Sequence, residues 1–278
     1  MIDASAQLHD ARRRRAQARP GRSVVIRIRR CDGPGRSSYW QDFRVVVPRN
    51  ANVISCLQQI AVHPVTASGE RTTPVVFDAG CLEEVCGSCT MVINGRVRQS
   101  CSCLMDDCAP NEGDVVTLEP MSKFPVIRDL WVDRSRVFHS LIRVRAWVPI
   151  DGTFDQGPGP RETPAHQAER YVLSTCMSCG CCLEACPQYR PEPDPARWDT
   201  AFVGAHAISQ ARLFNEHPTG AQLKGERLEA LMGPGGVSDC GNAQNCVKVC
   251  PKSIPLIESI AAIGRAVTVH AIARFFRA

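Results

Sequence analysis

Four cysteines, Cys176, Cys179, Cys182 and Cys186, precede Pro187 with the spacing C-x2-C-x2-C-x3-C-P. That spacing wraps the chain around an iron–sulfur cubane, with thiolates as ligands. A second run, Cys240, Cys246, Cys250 and Pro251, repeats it with one ligand missing, because Ala243 stands where the second cysteine would be. In two-cluster ferredoxins the fourth cysteine of each run ligates the other cluster. Applied here, Cys176, Cys179, Cys182 and Cys250 form a complete set for a 4Fe-4S centre. Cys186, Cys240 and Cys246 form a set of three, as a 3Fe-4S centre requires. Ala243 has no donor atom, although a water or a non-cysteine ligand could still complete a four-iron cluster at that place. Two adjacent redox centres make an electron conduit.

A third set lies earlier: Cys81, Cys86, Cys89 and Cys101, spaced C-x4-C-x2-C-x11-C. The first three share one loop, in which Gly80 and Gly87 allow the backbone to fold back on itself. C-x4-C-x2-C with a distant fourth cysteine is the spacing that holds a 2Fe-2S cluster. Zinc also accepts four thiolates and is the alternative. The fourth ligand has a rival in Cys103, since residues two apart on a strand face the same side. Cys108 reads as an unliganded thiol, and Cys31, Cys56 and Cys181 as small buried hydrophobes. No glycine-rich dinucleotide loop, phosphate-binding loop or Ser-His-Asp set can be picked out, so bond-making chemistry is expected in partner chains.

The elements that must position these thiols are legible in outline. Val24–Arg29 alternates and is rich in β-branched residues, which predicts a strand. Phe43–Val47 predicts its hairpin partner, and Asn52–Val62 has apolar residues at helical spacing. Thr73–Phe77 reads as another strand. Thr90–Ile93 and Arg96–Ser100 flank Asn94-Gly95, the dipeptide of a tight hairpin turn. Val115–Leu118 closes this region. Met121–Trp131 reads as a connector. Beyond it, helices are expected at Ser135–Val144, His166–Ser174, Asp199–Asn215, Leu223–Met232 and Ile254–Phe275, with Phe202, Ile208, Leu213 and Phe214 as the buried face of the third. Gly152–Pro164 reads as a loop. The expected organisation is a basic tail (1–22), an α+β 2Fe-2S domain (23–125) and a helical domain (126–278) holding the other two centres.

Composition bounds the remaining possibilities. The chain has 278 residues and 16 cysteines, with a net charge of +5. Their C-x2-C bunching suits metal better than disulfides and suggests a reducing compartment. Residues 1–36 carry ten arginines and three aspartates, so the remainder is close to −2. That balance gives no argument for nucleic acid. The tail reads as a solvated segment, with contact to anionic lipid headgroups as the functional alternative. No secretory signal is visible at the start. The longest apolar candidate, Ile254–Phe276, is interrupted by Glu258, Arg265, His270 and Arg274. It reads as a helix packed on a partner or on the chain's own core, not as a membrane span.

With three cluster motifs in this order, the chain resembles the iron–sulfur subunit of succinate dehydrogenase and fumarate reductase (respiratory complex II). The stretches CLEEVCGSC, KFPVIRDL, CMSCGCCLEACP and CGNAQNCVKVCPKSIP carry the resemblance, from about Val24 to Phe275. It implies a β-grasp ferredoxin domain docked on a flavoprotein with covalent FAD, and an all-helical bacterial-type ferredoxin domain docked on a membrane anchor that often carries haem b. Electrons would pass from FAD through the 2Fe-2S, 4Fe-4S and 3Fe-4S centres to a quinone. The complex would sit peripherally on the cytoplasmic face of a bacterial membrane. Ubiquinone-reducing members carry a histidine after the first cysteine of the second run and a tryptophan soon after the first cysteine-proline. Gly241 and Gln188-Tyr189-Arg190-Pro191 replace them here, and the similarity is closer to the menaquinone-linked branch with a single di-haem anchor. Pro187, Gly241 and Lys252 are the candidate residues near the quinone, with a solvated surface lysine as the alternative for Lys252. Quinol:fumarate reduction is the family alternative. A ferredoxin-like adaptor of another oxidoreductase is the alternative of a different class, and the N-terminal 2Fe-2S motif argues against it. A zinc-holding interaction module is the non-redox alternative.

Overall fold

The computed structural model describes residues 21–48, 50–149 and 160–276. Residues 1–20 of the basic tail and most of the Gly152–Pro164 loop lie outside these residues. The chain forms two compact units. The first runs to Pro120 and takes back Val126–Trp131, while the second holds Met121–Pro125 and everything from Val132 onward. The segment expected as a connector is therefore divided between the units, and the chain passes between them more than once.

The first unit is a five-stranded sheet with one principal helix. β1 (Ser23–Arg30) pairs antiparallel with β2 (Tyr39–Val46), in register from Ser23 opposite Val46 to Arg30 opposite Tyr39. β3 (Thr90–Ile93) and β4 (Arg96–Gln99) form the second hairpin. β5 (Val115–Glu119) joins the hairpins, parallel to β1 and antiparallel to β3, giving the order β2-β1-β5-β3-β4. Alternation explains β1, because Val24, Ile26 and Ile28 are fully buried on one face. α1 (Val53–Val62) buries Val53, Ile54, Cys56, Leu57 and Ile60. It starts where Asn52 Oδ1 accepts from the Ser55 N–H, satisfying a free end of the helix. A sheet holding one helix in this topology is the β-grasp arrangement.

Thr73–Phe77 does not form a strand. Its backbone is satisfied by other means. Arg30 Nη2 donates to the Thr73 and Pro74 carbonyls, the Val76 N–H donates to Asp129 Oδ2, and the Val76 carbonyl accepts from Leu130. Arg30 and Asp129 form an ion pair of 2.8 Å with both side chains fully buried. Asp129 also accepts from the Cys31 N–H, and Arg30 Nη1 donates to Gln41. A buried pair this fully hydrogen-bonded avoids the cost of an uncompensated charge. The short helix α2 (Met105–Cys108) completes this part of the chain, and strands β6 (Val126–Arg128) and β7 (Trp131–Val132) follow it.

The second unit is helical: α3 (Ser135–Arg143), α4 (Pro164–Ser174), α5 (Cys181–Glu184), α6 (Gly204–Glu216), α7 (Lys224–Met232), α8 (Asn245–Val249) and α9 (Leu256–Phe275). α6 starts five residues later than the periodicity predicts. Pro195–Arg197 is a separate 3-10 turn, and Gly204 has φ +84, a conformation that favours glycine. A Cβ there would lie 2.1 Å from Leu183 Cδ2, so glycine also permits the close approach of α5 and α6. Phe202 and Ile208 are buried as expected, whereas Leu213 and Phe214 are only half-buried. α9 buries Leu256, Ser259, Ile263 and Val267, a helical stripe, and packs on α6 and α7. By length and composition it is the one described helix able to cross a membrane, although only 22% of its apolar window is buried.

Candidate cluster sites

The Cys81–Cys89 loop turns its backbone N–H groups inward. Leu82 (φ 60), Glu84 (φ 56) and Gly87 (φ 73) take left-handed conformations. As a result Glu83, Val85 and Cys86 N–H groups donate to Cys81 Sγ at 3.3–3.4 Å. Cys81 and Ser88 N–H groups donate to Cys86 Sγ at 3.4 and 3.5 Å. Successive inward N–H groups form a nest for negative charge. Burial pushes the Cys86 thiol upward, but the N–H groups of Cys81 and Ser88 outweigh it and bring the pKa down to about 6. A Cβ on Gly80 would sit 3.2 Å from Cys86 Sγ, which explains a glycine there.

The β3–β4 hairpin returns the fourth thiol. Ser100 N–H and Oγ both donate to the Cys89 carbonyl, at 3.1 and 2.7 Å. Cys101 then faces Cys89, Cys81 and the Glu84 N–H; burial and the contact with Cys89 push its pKa up to about 11. Cys103 goes elsewhere. Residues 100–102 bend instead of continuing β4, so the same-side rule for strands does not apply. The Cys103 thiol is buried against that of Cys108. Cys31 and Cys56 are buried scaffold residues, and burial pushes the Cys56 pKa up to about 11.

In the second unit the thiols sort crosswise. Cys176 has Cys179 and Cys250 as its charged neighbours. Cys182 faces Cys179, Cys176 and Cys250, and Cys246 as well. Cys246 instead faces Cys186 and Cys240. Two cavities reflect the same partition. One is lined by Cys176, Cys179, Cys182 and Cys250, the other by Cys186, Cys240 and Cys246 with Ala243 on its wall. Left-handed residues again shape the loops: Ser178 (φ 49) and Gly180 (φ 87) in the first run, Asn242 (φ 52) and Gln244 (φ 60) in the second. Burial dominates the thiols here, raising Cys182 well above the ordinary range and Cys176 to about 11. Cys181 is buried beside Cys179. Thiol sulfurs around two cavities suit iron–sulfur cores. Among the described residues no group of three or more His, Cys, Asp or Glu side chains is arranged to hold a single metal ion.

Pro187 and Gly241 line the three-thiol cavity, but Lys252 lines the four-thiol one. The three candidates are thus not brought to one place. A Cβ on Gly241 would lie 2.4 Å from Gln188 Nε2, so Gln188 occupies the space a side chain at 241 would need. Sequence reasoning missed two neighbours of these sites. His206 is buried in α6 and lines the four-thiol cavity. Its Nε2 lies 3.2 Å from the Val137 carbonyl, and burial lowers its pKa to about 4. Lys123 Nζ donates to the carbonyl of Cys186. Neither has a local signal, because each reaches its thiol loop only through the fold.

A β-grasp unit with one thiol loop and a helical unit with two interleaved thiol sets define a multi-cluster iron–sulfur protein of the electron-transfer class. Residues 25–139 match the family described as 2Fe-2S iron-sulfur cluster binding domain, and residues 172–254 match the 4Fe-4S dicluster domain family. The succinate dehydrogenase iron-sulfur subunit of Bacillus subtilis is 52% identical over 255 residues, covering 92% of this chain and 96% of its own length. The fumarate reductase iron-sulfur subunit of Wolinella succinogenes is 30% identical over 250 residues, covering 88% and 97%. A chain of the Mycobacterium smegmatis Sdh1 complex in the apo form shares the fold, with TM-score 0.69 at 22% identity over 89% of this chain and 96% of that one. The chain belongs to the family of iron–sulfur subunits of succinate dehydrogenase and fumarate reductase.

Proposed function

We propose that this chain carries electrons within a succinate:quinone oxidoreductase, from a flavoprotein partner to a quinone at a membrane anchor. Cys81, Cys86, Cys89 and Cys101 would hold a 2Fe-2S centre. Cys176, Cys179, Cys182 and Cys250 would hold a 4Fe-4S centre, and Cys186, Cys240 and Cys246 a 3Fe-4S centre. When bound, these centres supply one-electron transfer. The chain's own part is to keep them apart in separate cavities, to shield their thiolates from water, and to set local charge with the N–H groups of residues 81–88. The observation that best supports the reading is the crosswise sorting of Cys250 and Cys186, since an interleaved pair is what two neighbouring centres in one unit require.

Covalent FAD would reside in the flavoprotein and haem b in the anchor. The complex would be peripheral on the cytoplasmic face of a bacterial membrane. Menaquinone is the quinone this reading favours, because Gly241 and Gln188-Tyr189-Arg190-Pro191 stand where ubiquinone-reducing relatives carry a histidine and a tryptophan. Electron paramagnetic resonance of the purified complex tests the reading. An oxidised three-iron signal together with a 2Fe-2S signal that succinate reduces is expected. Zinc in place of iron and acid-labile sulfide would overturn it.

A further inference from the structure

Lys123 and Glu184 both tie residues 122–123 to the end of α5. The Glu184 carboxylate accepts from the Ser122 N–H at 2.9 Å, the Ser122 hydroxyl at 2.6 Å and the Lys123 N–H at 3.2 Å. That arrangement pins the backbone at 122–123. The Lys123 side chain is half-buried. Its Nζ donates to the carbonyls of Cys186 and, at 3.4 Å, Leu183. A carbonyl oxygen carries partial negative charge, so the ammonium is held against it by a charge-assisted hydrogen bond. The ions facing this ammonium are the Glu184 carboxylate and the Cys186 sulfur. Ser122, Lys123, Glu184 and Cys186 all belong to the helical unit.

We propose that Lys123 is a positioning residue for the three-thiol centre, holding Cys186 through its carbonyl and raising the centre's reduction potential through its charge. The inference rests on the assignment of Cys186 to that centre. Reduction adds one electron, and so one negative charge, to the thiolate-bound core. A fixed cation beside a ligand sulfur favours that charge, and the interaction is strong where water is excluded. Glu184 acts with the opposite sign. The sequence offers no local sign of this role, since Lys123 and Cys186 are 63 positions apart.

The test is a potentiometric titration of the oxidised three-iron signal in the purified complex, for the wild type and for K123M, K123R and E184Q. K123M is expected to lower the midpoint by about 59 mV, a tenfold change for a one-electron couple. K123R keeps the charge and is expected to stay near the wild-type midpoint, whereas E184Q is expected to raise it. A purely structural lysine would not move the midpoint in opposite directions for the two charge-removing variants. An unchanged midpoint in K123M, a lowered one in E184Q, or loss of the signal in K123M and K123R alike would overturn the proposal. A wild-type complex with no oxidised three-iron signal would overturn the cluster assignment, and this proposal with it.

Discussion

Cys250 faces Cys182, although the two belong to different cysteine runs 68 positions apart. Cys186, the last thiol of the first run, goes to Cys246. This exchange ties the two runs together. Neither thiol set comes from a single contiguous segment, so the four-thiol cavity depends on the placement of α8 and the three-thiol cavity on that of α5.

Ala243 lines the three-thiol cavity and stands where the spacing of the first run has its second cysteine. Substituting Ala243→Cys is expected to convert the site toward a four-iron centre. The oxidised three-iron signal should fall to a small fraction of the wild-type intensity, and quinone reduction should drop at least tenfold, while electron transfer to the 2Fe-2S centre is retained. Resonance spectra of oxidised and reduced complex read both outcomes.

Cys101 and Cys103 make a second pair of opposite expectations. C101S removes the thiol that meets Cys89 and Cys81, and should abolish the 2Fe-2S signal. C103A removes a fully buried sulfur from the core. It should leave the cluster in place and cost about 1–2 kcal/mol of stability, read as a lowered denaturant midpoint.

The N–H groups around Cys86 have a pH signature in the cluster-free chain. Its pKa falls from 9.0 to about 6: burial opposes the shift, and the hydrogen bonds from Cys81 and Ser88 produce it. A group with a depressed folded-state pKa adds stability above its unfolded value and loses it as pH falls through the folded one. The contribution is therefore full above about pH 9 and fades down to about pH 6. Thiolates are the reactive form, so alkylation followed by mass spectrometry should show Cys86 labelling with a midpoint near pH 6. Labelling of Cys101 should rise only near pH 11.

Much of this arrangement is legible in the residues themselves. The strand β1 follows from alternation, the β3–β4 turn from Asn94-Gly95, whose φ values of 49 and 75 suit such a turn, and the crosswise thiol sets from ligand spacing. What spacing does not carry is direction after a bend. Cys101 and Cys103 diverge because residues 100–102 leave the strand. Thr73–Phe77 has the composition of a strand, yet its backbone partners are Arg30 and Asp129, brought in from 43 and 53 positions away. The late start of α6 likewise reflects Gly204 meeting Leu183, a tertiary contact that no periodicity reports. Lys123 and His206 were invisible for the same reason.

The crosswise assignment is tested most directly by one variant, C250S, studied by electron paramagnetic resonance in the purified complex. The expected result is loss or strong perturbation of the reduced four-iron signal, with the oxidised three-iron signal of Cys186, Cys240 and Cys246 preserved. Loss of the three-iron signal with the four-iron signal intact would contradict the account, because Cys250 would then serve its own run.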